Sequence, residues 1–72
     1  MRYRSATKLD STHVGKRVTV RRRLPEGGTS DTIGILEALD SVGLRIKRDN
    51  GEVVEIRAGD IVASRVVVGR LP

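Results

Sequence analysis

The first clear pattern in the chain is an alternation of apolar and polar side chains within residues 14–24. Val18 and Val20 alternate with basic residues and a threonine. A period of two residues is typical of a β-strand with one buried face. Arg22 falls on the same face as the two valines, so we expect it to lie beyond the rim of the core or to extend outward. Pro25 then ends the strand, because proline has no N–H to donate to a sheet.

The stretch 32–40 is densely apolar, with apolar side chains on both of its faces. Ile33 and Ile35 belong to one face, whereas Gly34 and Leu36 belong to the other. Such a strand is usual where a sheet curls over its own core, and an interior glycine marks a tight bend or a close backbone approach. We therefore predict a long, bent second strand, preceded by a loop that runs to about Asp31.

Two shorter strands follow, joined by a tight turn. Leu44 and Ile46 are the inward residues of the third strand, and Val54 and Ile56 are those of the fourth. Between them, Asn50-Gly51 is a strong hairpin signal, and a type I′ turn there requires positive φ at both residues. Opposite charges facing each other across two strands are stabilising. The candidate cross-strand pairs join Arg45 or Lys47 to Glu52 or Glu55.

The last part of the chain predicts one short turn and one strand. Ala58–Asp60 suits a single 3₁₀ turn, and the β-branched run 61–68 predicts the fifth strand. The fold class is therefore all-β, a small five-stranded SH3-like (Sm-like) barrel with a 3₁₀ turn before the last strand. We place the barrel at residues 14–69, a flexible basic arm at 1–13, and a tail or the start of a linker at 70–72.

The composition narrows what such a barrel can bind. The 72 residues include no Cys and one His, so neither a disulfide framework nor a Cys or His metal cluster is expected. Tyr3 is the single aromatic residue, which excludes base-stacking platforms, aromatic cages and aromatic grooves for proline-rich peptides. No apolar run approaches the roughly 20 residues of a membrane span. We predict a cytoplasmic protein with no membrane, metal or cofactor partner.

Positive charge is concentrated towards the N-terminus. The net charge is +5, but residues 1–23 carry eight basic residues and one acidic residue (8 − 1 = +7), and residues 24–72 carry six and eight (6 − 8 = −2). This asymmetry indicates either a surface for nucleic acid or another acidic partner, or a solvated tail and a charged strand face. The candidate basic surface comprises Arg2, Arg4, Lys8, Lys16, Arg17, Arg21, Arg22 and Arg23.

Catalytic chemistry is not predicted for this chain alone. His13 has no partner placed near it by spacing, so we expect a polar or capping role rather than that of a general base. Asp40, Asp49 and Asp60 lie at predicted turns, where aspartate is favoured for backbone reasons. The sequence offers no nucleophile–base pair and no metal-ligand cluster.

Several runs of sequence resemble a known family. Residues 14–25 read VGKRVTVRRRLP, residues 32–36 read TIGIL, residues 44–46 read LRI, residues 51–54 read GEVV, and residues 61–63 read IVA. Together these runs, within about residues 14–68, resemble the SH3-like N-terminal domain of actinobacterial GNAT-family acetyltransferases.

A second resemblance is to Sm-like barrels. It comes from Gly34 and Leu36 with Asp40 downstream, and from the run IRAGDI at 56–61. The second run has Ala58 where a glycine is expected, and the loop after the second strand lacks the residue that stacks bases. We interpret this resemblance as shared barrel geometry.

The acetyltransferase resemblance implies a non-catalytic accessory module and, as its parent, an N-acetyltransferase with a separate catalytic domain. The implied partner is a protein, either that downstream domain or a second subunit. Exposed apolar residues are candidates for the docking surface, namely Val53, Val67 and Leu71. Two alternatives remain open, electrostatic binding of nucleic acid and a free-standing structural protein that oligomerises through its edge strands.

Overall fold

The computed structural model describes residues 9–67, which form five strands and two 3₁₀ turns. The strands are β1 (Arg17–Arg23), β2 (Thr29–Leu39), β3 (Gly43–Lys47), β4 (Val53–Arg57) and β5 (Ile61–Val66). The first 3₁₀ turn, Ser11–His13, precedes β1, and the second, Ala58–Asp60, joins β4 to β5. The prediction of an all-β fold with a 3₁₀ turn before the last strand is confirmed.

The five strands form one antiparallel sheet in the order β4-β3-β2-β1-β5. Strands β1 to β4 pair consecutively, and β5 returns to pair with the other side of β1. Val18 of β1 therefore lies opposite Gly34 on one side and Val66 on the other. The sheet curls around its inner face into a small barrel.

Six buried apolar side chains on the inner face form the core. They are Val18, Val20, Leu36, Leu44, Ile46 and Ile56. Each belongs to the face that the alternation predicts to be buried. Leu9 also packs against this core, although it falls within the predicted arm. Residues 1–8 lie outside the described residues, so the predicted arm and its flexibility stay a prediction.

Gly34 lies where β2 and β3 approach each other closely. A Cβ atom at this position would collide with the backbone carbonyl oxygen of Lys47 and would lie 2.7 Å from Cγ2 of Ile46. The predicted close backbone approach is therefore confirmed. Farther along β2, the register with β3 shifts at Glu37, which is the extra residue of a β-bulge. A bulge bends its strand, and it accounts for the bend predicted in β2.

The loop before β2 is shorter than predicted. The strand begins at Thr29, opposite Arg23, whereas the sequence predicts a loop to about Asp31. The reason is a compact turn, in which the N–H of Leu24 donates to the carbonyl of Gly28 at 3.0 Å. The pairing of β1 with β2 starts at the adjacent residues, Arg23 and Thr29.

The hairpin between β3 and β4 is present, but its turn differs from the predicted type I′. Gly51 has a φ of 89°, whereas Asn50 does not have a positive φ. The N–H of Arg48 donates to the carbonyl of Glu52 at 2.8 Å, and the N–H of Gly51 donates to that of Arg48 at 2.9 Å. These bonds close a three-residue loop with one left-handed glycine. The Asn50 side chain accepts a hydrogen bond from the Glu52 N–H at 2.8 Å. It therefore stabilises the turn through its side chain and does not need a positive φ.

The last strand ends earlier than predicted. β5 stops at Val66, whereas the β-branched run predicts a strand to Val68, which lies outside the described residues. The N–H of Val67 still donates to the carbonyl of Arg17 at 2.8 Å. Because β1 begins at Arg17, the ladder between the two strands ends at this point.

Candidate interaction surface

The outer face of the sheet carries apolar side chains along β2. Thr32, Gly34 and Leu36 are buried, and Ile33 and Ile35 between them are 46% and 36% exposed. The prediction that both faces of this strand are partly apolar is confirmed. Neighbouring outward residues of a strand lie on the same side of the sheet, so the two isoleucines form one exposed apolar patch.

Ile35 is the centre of a row of residues that crosses the sheet. It lies opposite Lys47 on β3 and Arg17 on β1, and Lys47 lies opposite Val53 on β4. Val67, which follows β5, is bonded through its N–H to the carbonyl of Arg17. We call these five residues the outer row. The predicted docking residues Val53 and Val67 therefore lie at its two ends. Val53 is exposed as predicted, whereas Val67 is half-buried.

Two ion pairs lie beside Ile33. Arg17 donates through Nη1 and Nη2 to the two carboxylate oxygens of Asp49, at 3.0 and 2.9 Å. Arg21 donates through Nε and Nη2 to the two oxygens of Asp31, at 2.9 and 3.3 Å. Ile33, Arg17, Asp31 and Asp49 help to line an open depression of about 340 Å³.

The ion pairs change the ionisation of their members. The hydrogen bonds from Arg17 lower the pKa of the Asp49 carboxyl, and those from Arg21 lower the pKa of Asp31. The bond to Asp49 in turn raises the pKa of Arg17. All four side chains are at least 43% exposed, so water and salt weaken both pairs. Their main effect is to fix the position of side chains around the depression.

These pairs reduce the free positive charge of the predicted basic surface. Residues 9–67 contain ten basic and nine acidic residues (10 − 9 = +1), so most of the net charge of +5 belongs to residues outside this range. Lys16 and Arg23 are exposed, and Arg23 donates to the carbonyl of Gly59 at 3.4 Å. The basic residues outside the described range are Arg2, Arg4, Lys8 and Arg70.

Arg22 is separated from the other basic residues of β1. It lies opposite Ser30 on β2 and Ile61 on β5, on the face that holds Val20. The side chain is half-buried, and its Nε is enclosed with no hydrogen-bond partner among the described residues. The structure therefore brings Arg17 and Arg21 to the outer face and directs Arg22 to the other.

A second concave region lies at the turn between β2 and β3. It is an open groove of about 180 Å³ that extends to the end of β4. Its apolar lining consists of Ala38, Leu39, Val42, Leu44 and Ile56. Arg57 and the ion pair between Arg45 and Glu55 also line it. In that pair Nη2 of Arg45 lies 3.2 Å from Oε2 of Glu55, which confirms one of the predicted cross-strand pairs.

The turn beside this groove is held by Asp40. Its Oδ1 accepts hydrogen bonds from the N–H groups of Val42 and Gly43, at 2.9 and 3.1 Å. This confirms the backbone role predicted for Asp40. The carbonyl of Val42 accepts from the N–H of Ala58 at 2.8 Å, which joins the turn to the second 3₁₀ turn. The side chain of Val42 is 73% exposed.

Within residues 9–67, five exposed apolar residues are absent from the docking surface that the sequence predicts, namely Val14, Ile33, Ile35, Val42 and Val62. Of these, the two isoleucines form the patch on β2, and Val42 lines the groove. The alternation with Leu36 contains the signal for the two isoleucines, because it places them on the face opposite the core. Val42 lies outside any alternating pattern, and only its position in a turn suggests that its side chain is exposed. Leu71, the third predicted docking residue, lies outside the described residues.

His13 closes the first 3₁₀ turn. Its Nδ1 accepts a hydrogen bond from the N–H of Asp10 at 2.9 Å, and Oδ1 of Asp10 accepts from the N–H of Thr12 at 2.9 Å. These reciprocal bonds form a capping box. Hydrogen bonds from Thr12 lower the pKa of Asp10. The predicted capping role of His13 is therefore confirmed.

Residues 9–67 present neither a metal-ligand cluster nor a membrane-spanning helix. This part of the chain contains no group of three or more His, Cys, Asp or Glu side chains arranged to hold a metal ion. It also contains no helix with the length and apolarity needed to cross a bilayer.

The strand order, the inner core and the 3₁₀ turn before β5 define a small β-barrel domain of the Sm-like class. The sequence model of one family, described as "Rv0428c N-terminal Sm-like domain", matches residues 12–65. The chain belongs to this family. Comparison with curated proteins and with solved structures gives no match. The family match supports the small SH3-like or Sm-like domain that the sequence predicts.

Proposed function

We propose that this chain is a non-catalytic interaction domain of a longer protein, and that the longer protein is a GNAT-type N-acetyltransferase. The description of the matching family refers to an N-terminal domain. The runs at 14–25, 32–36 and 51–54 resemble the domain that precedes the catalytic domain in those acetyltransferases. In this proposal the barrel binds its own downstream catalytic domain or a second subunit.

The observation that carries the proposal is the exposed apolar patch of Ile33 and Ile35, which lies beside a depression with a charged lining. Apolar side chains scattered singly over a surface are ordinary, whereas a contiguous patch with a polar rim is typical of an interaction site. Ile33 and Ile35 are adjacent on one strand face, and the outer row continues from them to Val53. The ion pairs of Arg17 and Arg21 hold the rim in place, so a partner that covers the patch orders few further side chains.

The test uses the parent protein and its separate parts. We expect the 72-residue chain to co-purify with the separately produced catalytic domain, and deletion of residues 1–72 to change the activity or subunit association of the parent. Ile33→Ser should weaken the association about fivefold, since it removes roughly 1 kcal/mol of apolar burial. Val62→Ser is the matched control, because Val62 is 45% exposed, against 46% for Ile33, and does not line the depression. No association together with unchanged activity on deletion refutes the proposal.

A second candidate function is electrostatic binding of nucleic acid. It is favoured by residues 1–8, which contain Arg2, Arg4 and Lys8 and no acidic residue. Binding of this kind is sequence-tolerant and steeply salt-dependent. Titration with duplex DNA and RNA at about 50 and 200 mM salt tests it. An absence of binding at the lower salt concentration rejects this candidate.

A third candidate is a free-standing structural protein that oligomerises. The strand order favours it, because β4 and β5 are the end strands of the sheet and an end strand offers one side for pairing. Sedimentation of the 72-residue chain measures its mass directly. A monomeric mass at high concentration rejects this candidate.

A further inference from the structure

The groove at the β2–β3 turn is lined by an arginine that forms no ion pair among the described residues, Arg57, whereas Arg17 and Arg21 beside Ile33 are both paired. We propose that this groove binds a peptide segment of a partner protein, which places one apolar side chain in the groove and pairs a neighbouring carboxylate with Arg57. The inference rests on the proposed role as an interaction domain, and it specifies the chemistry of the bound segment.

The size and lining of the groove fit one aliphatic side chain. Its volume of about 180 Å³ is below the roughly 300 Å³ at which pockets for drug-sized molecules begin. Leu44 and Ile56, which are 6% and 2% exposed, form part of the lining. Val42 adds a side chain that is 73% exposed, so an incoming aliphatic group covers apolar surface that water now contacts.

The charges of the groove determine what accompanies that side chain. Arg45 is paired with Glu55, and Oδ1 of Asp40 accepts two backbone N–H groups. Arg57 is exposed and has no carboxylate partner among residues 9–67. The groove lining holds two arginines and two carboxylates (2 − 2 = 0), and Arg57 is the guanidinium among them that forms no ion pair within this part of the chain. A carboxylate is the side-chain group that complements a guanidinium in charge and geometry.

The groove is formed before any ligand binds. The hydrogen bond between the Val42 carbonyl and the Ala58 N–H links its turn to the segment after β4. Asp40 holds the turn itself through its bonds to Val42 and Gly43. A site held by backbone bonds loses little conformational freedom on binding, so a short peptide is sufficient as a ligand.

The proposal is tested by selecting peptides from a randomised heptapeptide library on the immobilised 72-residue chain. We expect enrichment of sequences that place a leucine-sized aliphatic residue next to Asp or Glu. A selected peptide then carries a fluorescent label, and its dissociation constant is measured by anisotropy. Replacing its acidic residue with the corresponding amide should weaken binding about threefold to fivefold, the range of an exposed ion pair.

Two protein variants and two matched controls locate the binding site. Arg57→Gln should weaken binding of the selected peptide about threefold to fivefold and abolish its preference for the acid over the amide. Val42→Ser should weaken binding about fivefold. Arg65→Gln and Val62→Ser are the controls, because both side chains are exposed and neither lines the groove. All four positions are exposed, and circular dichroism verifies that each variant is folded.

The inference is overturned if no sequences are enriched, or if enriched peptides lack an acidic residue. It is also overturned if neither Arg57→Gln nor Val42→Ser weakens peptide binding. A third contrary result comes from NMR titrations, if an oligonucleotide or self-association, and not the peptide, shifts the amide resonances of Val42 and Leu44. Continued co-purification with the catalytic domain in these cases means that the proposed function stands and only the peptide site fails. If the chain binds the peptide but does not co-purify with the catalytic domain, the peptide site stands and the proposed acetyltransferase partner fails.

Discussion

The substitution Gly34→Ala tests how tightly β2 and β3 are packed. The added methyl group would collide with the carbonyl oxygen of Lys47 and lie 2.7 Å from Cγ2 of Ile46. The Lys47 oxygen belongs to a backbone paired on both sides, with β2 and with β4. It therefore moves aside only if the sheet itself shifts.

The expected loss of stability follows from two opposing effects. Overpacking a well-packed core costs about 1–3 kcal/mol, and a clash with backbone belongs at the upper end of that range. The smaller conformational freedom of alanine in the unfolded chain offsets about 0.5–1 kcal/mol. The net loss is about 2 kcal/mol, against a total of about 4–11 kcal/mol for 72 residues. A domain of this size then melts about 8–16 °C lower.

Thermal and urea unfolding followed by far-ultraviolet circular dichroism measure this loss. Gly59→Ala is the matched control, because a Cβ at Gly59 meets no atom within 4 Å and its φ lies outside the left-handed region. We expect the control to melt within a few degrees of the wild type, in line with a change of about 0.5 kcal/mol. Equal melting temperatures for Gly34→Ala and Gly59→Ala would refute the close approach of β2 and β3.

Three further substitutions test the core, an ion pair and the first cap. Leu36→Ala, at a fully buried position, should lower the free energy of unfolding by about 2–5 kcal/mol in urea titrations. Arg17 lowers the pKa of Asp49 in the folded state. The stabilisation from this ion pair is therefore complete above the ordinary pKa of 3.8 and is lost as the pH falls through the lowered value. Asp49→Asn removes the titrating group, so the variant should lose less stability in acid than the wild type does. Asp10→Ala should lower the melting temperature, whereas Asp10→Ser retains an acceptor for the Thr12 N–H.

For each of these substitutions, one result would contradict the structural reasoning. A change below about 0.5 kcal/mol for Leu36→Ala would remove that residue from the core. Identical acid dependence of wild type and Asp49→Asn, measured by urea unfolding between about pH 2 and 6, would mean that the pair is not formed in solution. Equal melting temperatures for Asp10→Ala and Asp10→Ser would mean that the capping oxygen contributes nothing.

The alternation of side chains was sufficient to predict the number of strands and the buried face of each, but not where β2 begins or where β5 ends. Val18, Val20 and Ile56 are buried on the predicted faces, because a period of two residues fixes which side chains share a face. The role of Gly34 was also predictable, since a glycine inside a curled strand is typical of a bend or a close backbone approach. Turn geometry was less predictable, because the Asn50-Gly51 dipeptide is compatible with more than one hairpin loop. The loop that forms has one left-handed glycine and a hydrogen bond from the Glu52 N–H to the Asn50 side chain.

The surface required information that a linear pattern does not contain. Arg17 and Asp49 are 32 positions apart, and their pairing depends on the curl of the sheet and on the three-residue loop at the end of β3. Charge counts along the chain therefore overstate the basic character of β1. The groove likewise depends on a hydrogen bond between two separate turns, Val42 to Ala58, and no local sequence signal marks it.

The position of β5 has a consequence for synthesis on the ribosome. Val66 pairs with Val18, which precedes it by 48 positions, so the last of these five strands to be translated completes the sheet beside the first. A nascent chain that ends before Ile61 has β1 with one side unpaired, and an unpaired strand edge is a template for association with other chains. Pairing over such a separation is also slow, because the loop must close before its contacts form. Chains that end before Ile61 are therefore expected to aggregate more readily than chains that include β5.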